Sequence, residues 1–377
     1  MFNFTITGNV IFGEGVSLEV GKMAKDLGAK HALVVHDPGV KSAGIVDPIL
    51  KSLKDAGLKC TVFGNVIANP TDDSITEAIE LAKGNPIDIV IGFGGGSAMD
   101  SAKAINVLLS NEGPIQKYEG RNMVKNKTLP LIAIPTTSGT GSEVTEVAVI
   151  TDKKRGLKMI LAGDNMGPVI ALEDPNLLLN LPASITASTG MDALTHAMES
   201  YLSVIASPIT EMCSLKAVDY IYNNLKECVL NGQNIEARKK VMLGSFIAGF
   251  AFNQCGLGFA HGIAHPLGAL FNIPHGVANA IALPDVIDFN GQAVPEKVID
   301  LGKAMGLKDN ELTVEVIVAK LKELNKIIKI PKLSEVGIKK SDFDMIAKAT
   351  LNEHMSNDLN PRKVNYEDVI AILEKVF

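Results

Sequence analysis

Between Val241 and Pro284 the chain has no Asp, Glu, Lys or Arg, although charged residues make up 21% of its 377 positions. A run of that kind either crosses a membrane or lies deep inside a protein. The membrane reading fails on content. A spanning helix wants about twenty apolar residues with few breakers, whereas this segment holds Asn253, Gln254, His261, His265, Pro266, Asn272, Pro274 and five glycines between Gly249 and Gly268. Buried helices ending in a loop are expected instead. Their polar groups, among them the three imidazoles of HGIAHPLGALFNIPH, must then find partners within the protein.

Other features are scarce too, and each scarcity narrows the function. Four cysteines (Cys60, Cys213, Cys228, Cys255) with no CxxC spacing argue against a disulfide frame, a zinc knuckle or thiol chemistry, and for reduced thiols in a cytoplasmic protein. No basic run occurs, and a net charge of -6 with pI near 5.7 gives nucleic acid or an anionic membrane nothing to attract. The start, MFNFTITGNVIFGEG, alternates like a strand and lacks the charged head and apolar core of a secretory signal. There is no internal repeat or low-complexity tract. What remains is a globular chain with 46% hydrophobic residues, long enough for two domains, whose partner is a small neutral or weakly charged molecule.

The first half punctuates itself as strand, turn and helix: HALVVHD, VDPILKSLKDAG, KCTVFG, SITEAIELAKG, IDIVIGFGGG, a helix over 97–110, then LPLIAIPTT. Apolar runs alternating with amphipathic helices predict a parallel sheet covered on both faces. From about Pro182 strand signals vanish and helical patterns run to the end. The fold expected is α/β plus all-α: a Rossmann-like parallel-sheet domain over residues 1–181 and an all-helical domain over 182–377.

In IGFGGGSAMDSAK a buried strand runs into Gly94, Gly95 and Gly96 and then a helix that Ser97 can cap. Such a turn lets a phosphate approach the backbone and the helix N-terminus. The plain alternative is a tight turn, since the GxGxxG form is absent. PTTSGTGSEVT strengthens the phosphate reading, because it sets hydroxyls and glycines just past an apolar strand, where parallel sheets bind ligands. Asp37 ends HALVVHD, where a carboxylate can accept from both adenosine ribose hydroxyls and favour NAD over NADP. It can equally start a turn before Pro38 and Gly39, and both readings stay open. His36 is expected to serve packing or surface only.

In TGMDALTHAMESY, Asp192 and His196 stand four apart and project from one helix face. His261 and His265 repeat that spacing, and His275 follows just past Pro274. Two clusters of candidate ligands, one of them inside the charge-free segment, point to a divalent metal. Imidazole and carboxylate without thiolate suit zinc or ferrous iron.

Taken together, GGGSAMDSAK, PTTSGTGSEVT, STGMDALTHAMESY, LGFAHGIAHPLGALFNIPHGVANAIALP and the late NPR at 360–362 resemble the iron-containing (group III) alcohol dehydrogenase family over essentially the whole chain. The resemblance implies a dehydroquinate synthase-like fold with NAD(H) and one metal, Fe2+ or Zn2+, in a cleft between the domains. It implies Asp192, His196, His261 and His275 as ligands, with His265 beside the substrate as the catalytic histidine. It implies cofactor contacts at Asp37, Gly94, Gly95, Gly96, Ser97, Asp100, Thr136, Thr137, Thr145 and Lys158, with Asn69 as a cofactor or substrate neighbour. A cytoplasmic homodimer interconverting a small primary alcohol and its aldehyde is the expectation, with the N-terminal strand a candidate for the subunit contact. The alternatives are a glycerol dehydrogenase- or dehydroquinate synthase-like enzyme on a polyol or sugar phosphate, and a nucleotide-binding sensor without catalysis.

Two departures bear on the substrate. EHMSNDLNPR, with His354 and an apparent extra residue, stands where the family usually reads D-x-C-x-x-x-NPR. Val147 takes the place of a polar residue found in the lactaldehyde reductases of the family.

Overall fold

The computed structural model of the chain describes every residue except 1 and 3, so the start of the N-terminal alternation lies partly outside the described residues. The chain forms two compact units whose main division falls between Leu181 and Pro182. Residues 6–137 and 142–181 make an α/β unit. The helical unit holds 182–377 together with 138–141 and the described residues up to Thr5. Thr5 is tied there by two hydrogen bonds between its backbone and the side chain of Gln254.

The α/β unit contains strands β1 (Asn9–Phe12), β2 (His31–His36), β3 (Lys59–Phe63), β4 (Ile89–Gly94), β5 (Gly120–Arg121), β6 (Leu131–Pro135), β7 (Val147–Asp152), β8 (Leu157–Ala162) and β9 (Ile170–Glu173). Its helices are α1 (Val20–Asp26), α2 (Pro38–Ser42), α3 (Val46–Asp55), α4 (Asp72–Ala82) and α5 (Gly96–Ser110). Six strands form one sheet in the order β1-β9-β6-β4-β2-β3, parallel at every pairing. The apolar runs read as two-faced strands, and the packing shows why. Leu33, Val35 and Val90 enter the core under α4 and α5, while Ala32, Val34, Ile89 and Ile91 enter the core under α1 and α3. Successive side chains of one strand therefore seal opposite faces, which keeps the middle of β2 and the start of β4 continuously apolar. Pairing Gly94 with Pro135 brings the C-terminal ends of β4 and β6 side by side, so the loops that follow them start from neighbouring points.

A second sheet, β5-β8-β7, was not anticipated. Its antiparallel β7–β8 hairpin runs from Val147 to Ala162, and β7 alternates half-buried and buried residues. That alternation in VAVITD, followed by KKRG with Gly156 at φ 66°, is the hairpin signal in the sequence.

The helical unit contains α6 (Ala183–Leu202), α7 (Pro208–Leu230), α8 (Ile235–Cys255), α9 (Phe259–Phe271), α10 (His275–Gly291), α11 (Pro295–Ala304), α12 (Val314–Ile327), α13 (Phe343–Leu351), α14 (His354–Asn357) and α15 (Tyr366–Val376). The charge-free segment makes the end of α8, all of α9 and the first half of α10. It does not end in a loop as expected, because His275 is the first residue of α10 after Pro274. Proline fixes the φ that suits a helix entry, so the chain turns into α10 at once. Helices α8 and α9 meet at a bend of 99°, and among the described residues no single helix is long and apolar enough to cross a membrane. Among the described residues two large apolar clusters support the unit, one among α6, α7, α8, α10, α11 and α12, the other among α9, α10, α13 and α15.

Candidate active site

Three helices bring four donor atoms together. Asp192 and His196 lie one turn apart on α6, His261 sits in the first turn of α9, and His275 opens α10. Asp192 Oδ1 is 3.9 Å from His196 Nε2, 3.9 Å from His261 Nε2 and 3.6 Å from His275 Nε2. One ligand atom from each residue falls within 4.8 Å of all the others. His265 is not a member of this set, although its ring stacks on that of His275 with centroids 5.5 Å apart. The closeness of α6 and α10 depends on a glycine: a Cβ on Gly276 would lie 2.1 Å from the Ser188 carbonyl oxygen.

The chemistry of these donors fits a cation. The Nδ1 of His196 lies 3.2 Å from the Gly139 carbonyl and that of His261 lies 2.6 Å from Glu199 Oε2. Both partners accept, so in its neutral form each ring carries its hydrogen on Nδ1 and turns the Nε2 lone pair toward Asp192. Burial, with His196 next in weight, holds His261 well below the usual imidazole range, which keeps it neutral. Burial pushes the Asp192 carboxyl up, but the positive charge that His196, His275 and His261 carry when protonated, with the Asn279 amide, outweighs it and holds Asp192 below its ordinary value. The Asn279 amide nitrogen faces this collection of acceptors at 2.7 Å from Asp192 Oδ1, 3.0 Å from His261 Nε2 and 3.2 Å from His275 Nε2. Its own Oδ1 is buried without a partner. Convergent lone pairs beside one carboxylate are the donor set expected of a borderline divalent ion such as zinc or ferrous iron.

Glu199 carries the arrangement one layer further out and was not singled out in the sequence. Besides His261 Nδ1, it accepts from the Gly258 and Ala260 backbone amides, while Asn360 Oδ1 accepts from Phe259 N at 3.3 Å. Three of the first amides of α9, which no intrahelical carbonyl can satisfy, are thereby taken up by side chains from elsewhere in the unit. Burial pushes the Glu199 carboxyl up to about 7 against these hydrogen bonds. Asn360 is itself locked by paired amide bonds to Asn290, and Arg362 lies 3.8 Å over the Phe289 ring. The NPR triplet thus fixes the entry of α9, two residues before His261. Glu199 stands three residues after His196 and Asn279 four after His275, and that helical spacing was the signal available for finding them.

In the α/β unit the structure gathers most of the proposed dinucleotide residues around two loops. Gly94 has φ 149°, a conformation L side chains rarely adopt, and a Cβ there would lie 2.6 Å from Asp37 Oδ2. The other Asp37 oxygen accepts from Val40 N at 3.1 Å and caps α2, so the turn role of Asp37 is real while one face of its carboxylate lies across the glycine turn. His36 is buried, as its packing role requires, with Nδ1 against the Asp37 carbonyl. Ser97 does not cap α5. The cap is Gly95, with no side-chain hydrogen bond, and Ser97 lies inside the first turn, because the helix starts one residue earlier than expected.

Thr136 N donates to the Gly94 carbonyl at 2.9 Å, and a Cβ on Gly95 would touch Thr137, so Thr136 and Thr137 stand against the glycine turn. Asp100 faces inward, accepting from Ser142 Oγ and Val149 N. Lys103, only 1% exposed, reaches Ser142 O, Ser142 Oγ, Thr145 Oγ1 and Val147 O. Asp100 and Lys103 therefore brace the segment that carries Thr145. Lys158 lies on β8 opposite Thr151, and Asn69 is exposed in the left-handed region at φ 53° just before Pro70.

Residues 7–175 match the model of iron-containing alcohol dehydrogenase and residues 186–377 that of the C-terminal part of the Fe-containing alcohol dehydrogenase family. The 1,3-propanediol dehydrogenase of Citrobacter freundii is 37% identical over 384 residues, covering 100% of this chain and 99% of that protein. The NAD-dependent methanol dehydrogenase of Bacillus methanolicus is 36% identical over 379 residues, 99% of each chain. A crystal structure of 1,3-propanediol oxidoreductase superposes with a TM-score of 0.97 at 36% identity over the whole of both chains. With two consecutive family models spanning nearly all of its length and relatives matching from end to end, the chain belongs to the iron-containing alcohol dehydrogenase family.

Proposed function

We propose that the protein is an NAD(H)- and metal-dependent dehydrogenase that interconverts a small primary alcohol and its aldehyde. The observation that carries this reading is the convergence of Asp192, His196, His261 and His275 on one point from three helices. These four would hold the ion, Fe2+ or Zn2+. A divalent ion in such a site supplies a Lewis acid for the substrate oxygen, and the nicotinamide gives or takes the hydride. His265 stands beside the donor set without joining it, where an imidazole can take the hydroxyl proton in oxidation and return it in reduction. Asp37 would take the adenosine ribose, and the open first turn of α5 the pyrophosphate. Asn69, Thr136, Thr137, Thr145 and Lys158 would line the dinucleotide, with Asp100 acting through Ser142.

A phosphorylated substrate fits poorly. None of α6, α9 and α10, the helices that supply the donors, contains a Lys or Arg to meet a phosphate. A homodimer in the cytoplasm completes the proposal, supported by the position of β1 at the edge of the six-stranded sheet and by four free cysteines. The test is NADH and NADPH oxidation with C1 to C4 aldehydes, hydroxylated and sulfonated ones included, after loading with Fe2+ or Zn2+. Turnover of none of them would favour a nucleotide-binding sensor.

A further inference from the structure

The segment that departs from the family pattern supplies a partner to His265. Glu353 Oε2 lies 3.0 Å from His265 Nδ1. The glutamate is held at both ends: its amide donates to the Thr350 carbonyl, and its carbonyl accepts from Ser356 and Asn357 at the start of α14. Helix α14 in turn rests on α9, where a Cβ on Gly262 would come 2.3 Å from Asn357 Oδ1. Gly262 lies between His261 and His265, so the contact that seats α14 bears on the stretch of α9 that carries His265. A carboxylate can only accept, so the shared hydrogen belongs to His265 Nδ1. The same rule governs His196 against Gly139 and His261 against Glu199, and three rings at one centre thus meet three separate Nδ1 acceptors.

We propose that Glu353 is a positioning residue that keeps the hydrogen of His265 on Nδ1 and so offers Nε2 as the acceptor for the substrate hydroxyl. The inference rests on the dehydrogenase reading above. In oxidation the O–H proton passes to His265 Nε2, the C–H pair passes as hydride to C4 of NAD+, and aldehyde, NADH and a proton result. Because the two side chains are 29% and 33% exposed, their pairing contributes little to stability, and its value lies in ring orientation.

The test uses zinc-loaded enzyme labelled with 15N-histidine, in which the His265 signals are assigned by their loss in His265→Asn. Wild type should show a protonated Nδ1 and an unprotonated Nε2 at His265. Glu353→Ala should mix the two tautomers, and Glu353→Gln, whose amide oxygen still accepts, should restore the wild-type pattern. In turnover, Glu353→Ala should lower kcat by about 10- to 100-fold with metal content unchanged, Glu353→Gln should stay near wild type, and Glu353→Ala should cost nothing further in a His265→Asn background. An unchanged tautomer in Glu353→Ala, or an equal loss with and without His265, overturns the proposal. A wild type that turns over no aldehyde would overturn the dehydrogenase reading instead, and the spectrum would still decide the tautomer.

Discussion

Gly276 of α10 approaches Ser188 of α6 so closely that a methyl group on it would sit 2.1 Å from the Ser188 carbonyl oxygen and 3.3 Å from Asp192 Cβ. The obstacle is backbone, so no side-chain rotation relieves it. Gly276→Ala should push α10 away from α6 and carry His275 from Asp192, weakening metal binding about tenfold or more while the chain stays helical. Metal titration against circular dichroism checks this, and a folded variant with wild-type affinity would show that the contact does not set the site.

Removing a donor should act more bluntly. His275→Ala should lose metal and activity together, since three remaining ligands hold a divalent ion poorly. Stoichiometric metal in an inactive variant contradicts the assignment. Ferrous iron is expected to restore more activity than zinc to chelator-stripped wild type.

Glu199→Gln should weaken metal binding by about 10- to 100-fold. The amide turns one donor toward a neighbourhood of three donors, Gly258 N, Ala260 N and His261 Nδ1, and costs about 1–3 kcal/mol in an unmade hydrogen bond. If the melting temperature falls while metal affinity holds, Glu199 serves the start of α9 alone.

Coenzyme preference should respond to Asp37. Asp37→Gly removes a carboxylate that repels a 2′-phosphate, so the ratio of kcat/KM values should move from NADH toward NADPH. An unchanged ratio leaves Asp37 with only its observed role as the cap of α2.

Stability should fall between about pH 5 and 7. Burial pushes Glu143 up to about 7 and Glu173 beside it well above its ordinary value, so the folded chain keeps protons that the unfolded chain has released. That stabilisation is complete at low pH and fades as pH rises toward 7. Burial lowers Lys103 to about 8, which adds a slope of opposite sign above that pH, where the unfolded chain holds the extra proton. Glu143→Gln should flatten the decline, a difference of about 1–3 kcal/mol at pH 7 to 8. Parallel melting curves for the two proteins from pH 5 to 8 would exclude Glu143 as its source.

Periodicity made the six-stranded parallel sheet legible, because fully buried strands leave continuous apolar runs such as HALVV and IDIVIGF. The β7–β8 hairpin leaves a weaker mark, a short alternation in VAVITD between longer apolar runs. Asp192, His196, His261 and His275 could be marked by residue type and spacing, yet which of His261 and His265 faced Asp192 depended on the start of α9. That start is fixed by Glu199 and Asn360, from points 59 and 101 residues away in the chain. Local pattern holds no record of such pairings. Ser97 falls inside α5 rather than at its cap for a local reason, since a glycine can cap a helix through its backbone alone and leaves no side-chain signal.

The burial of Lys103 turns one amine into a clock for the segment it braces. An acylating reagent meets Lys51, whose side chain is 73% exposed, on contact. Lys103 becomes reactive only when residues 142–147 release its four acceptors. The labelling rate of this single lysine, read by peptide mass, therefore measures how often the segment bearing Thr145 opens.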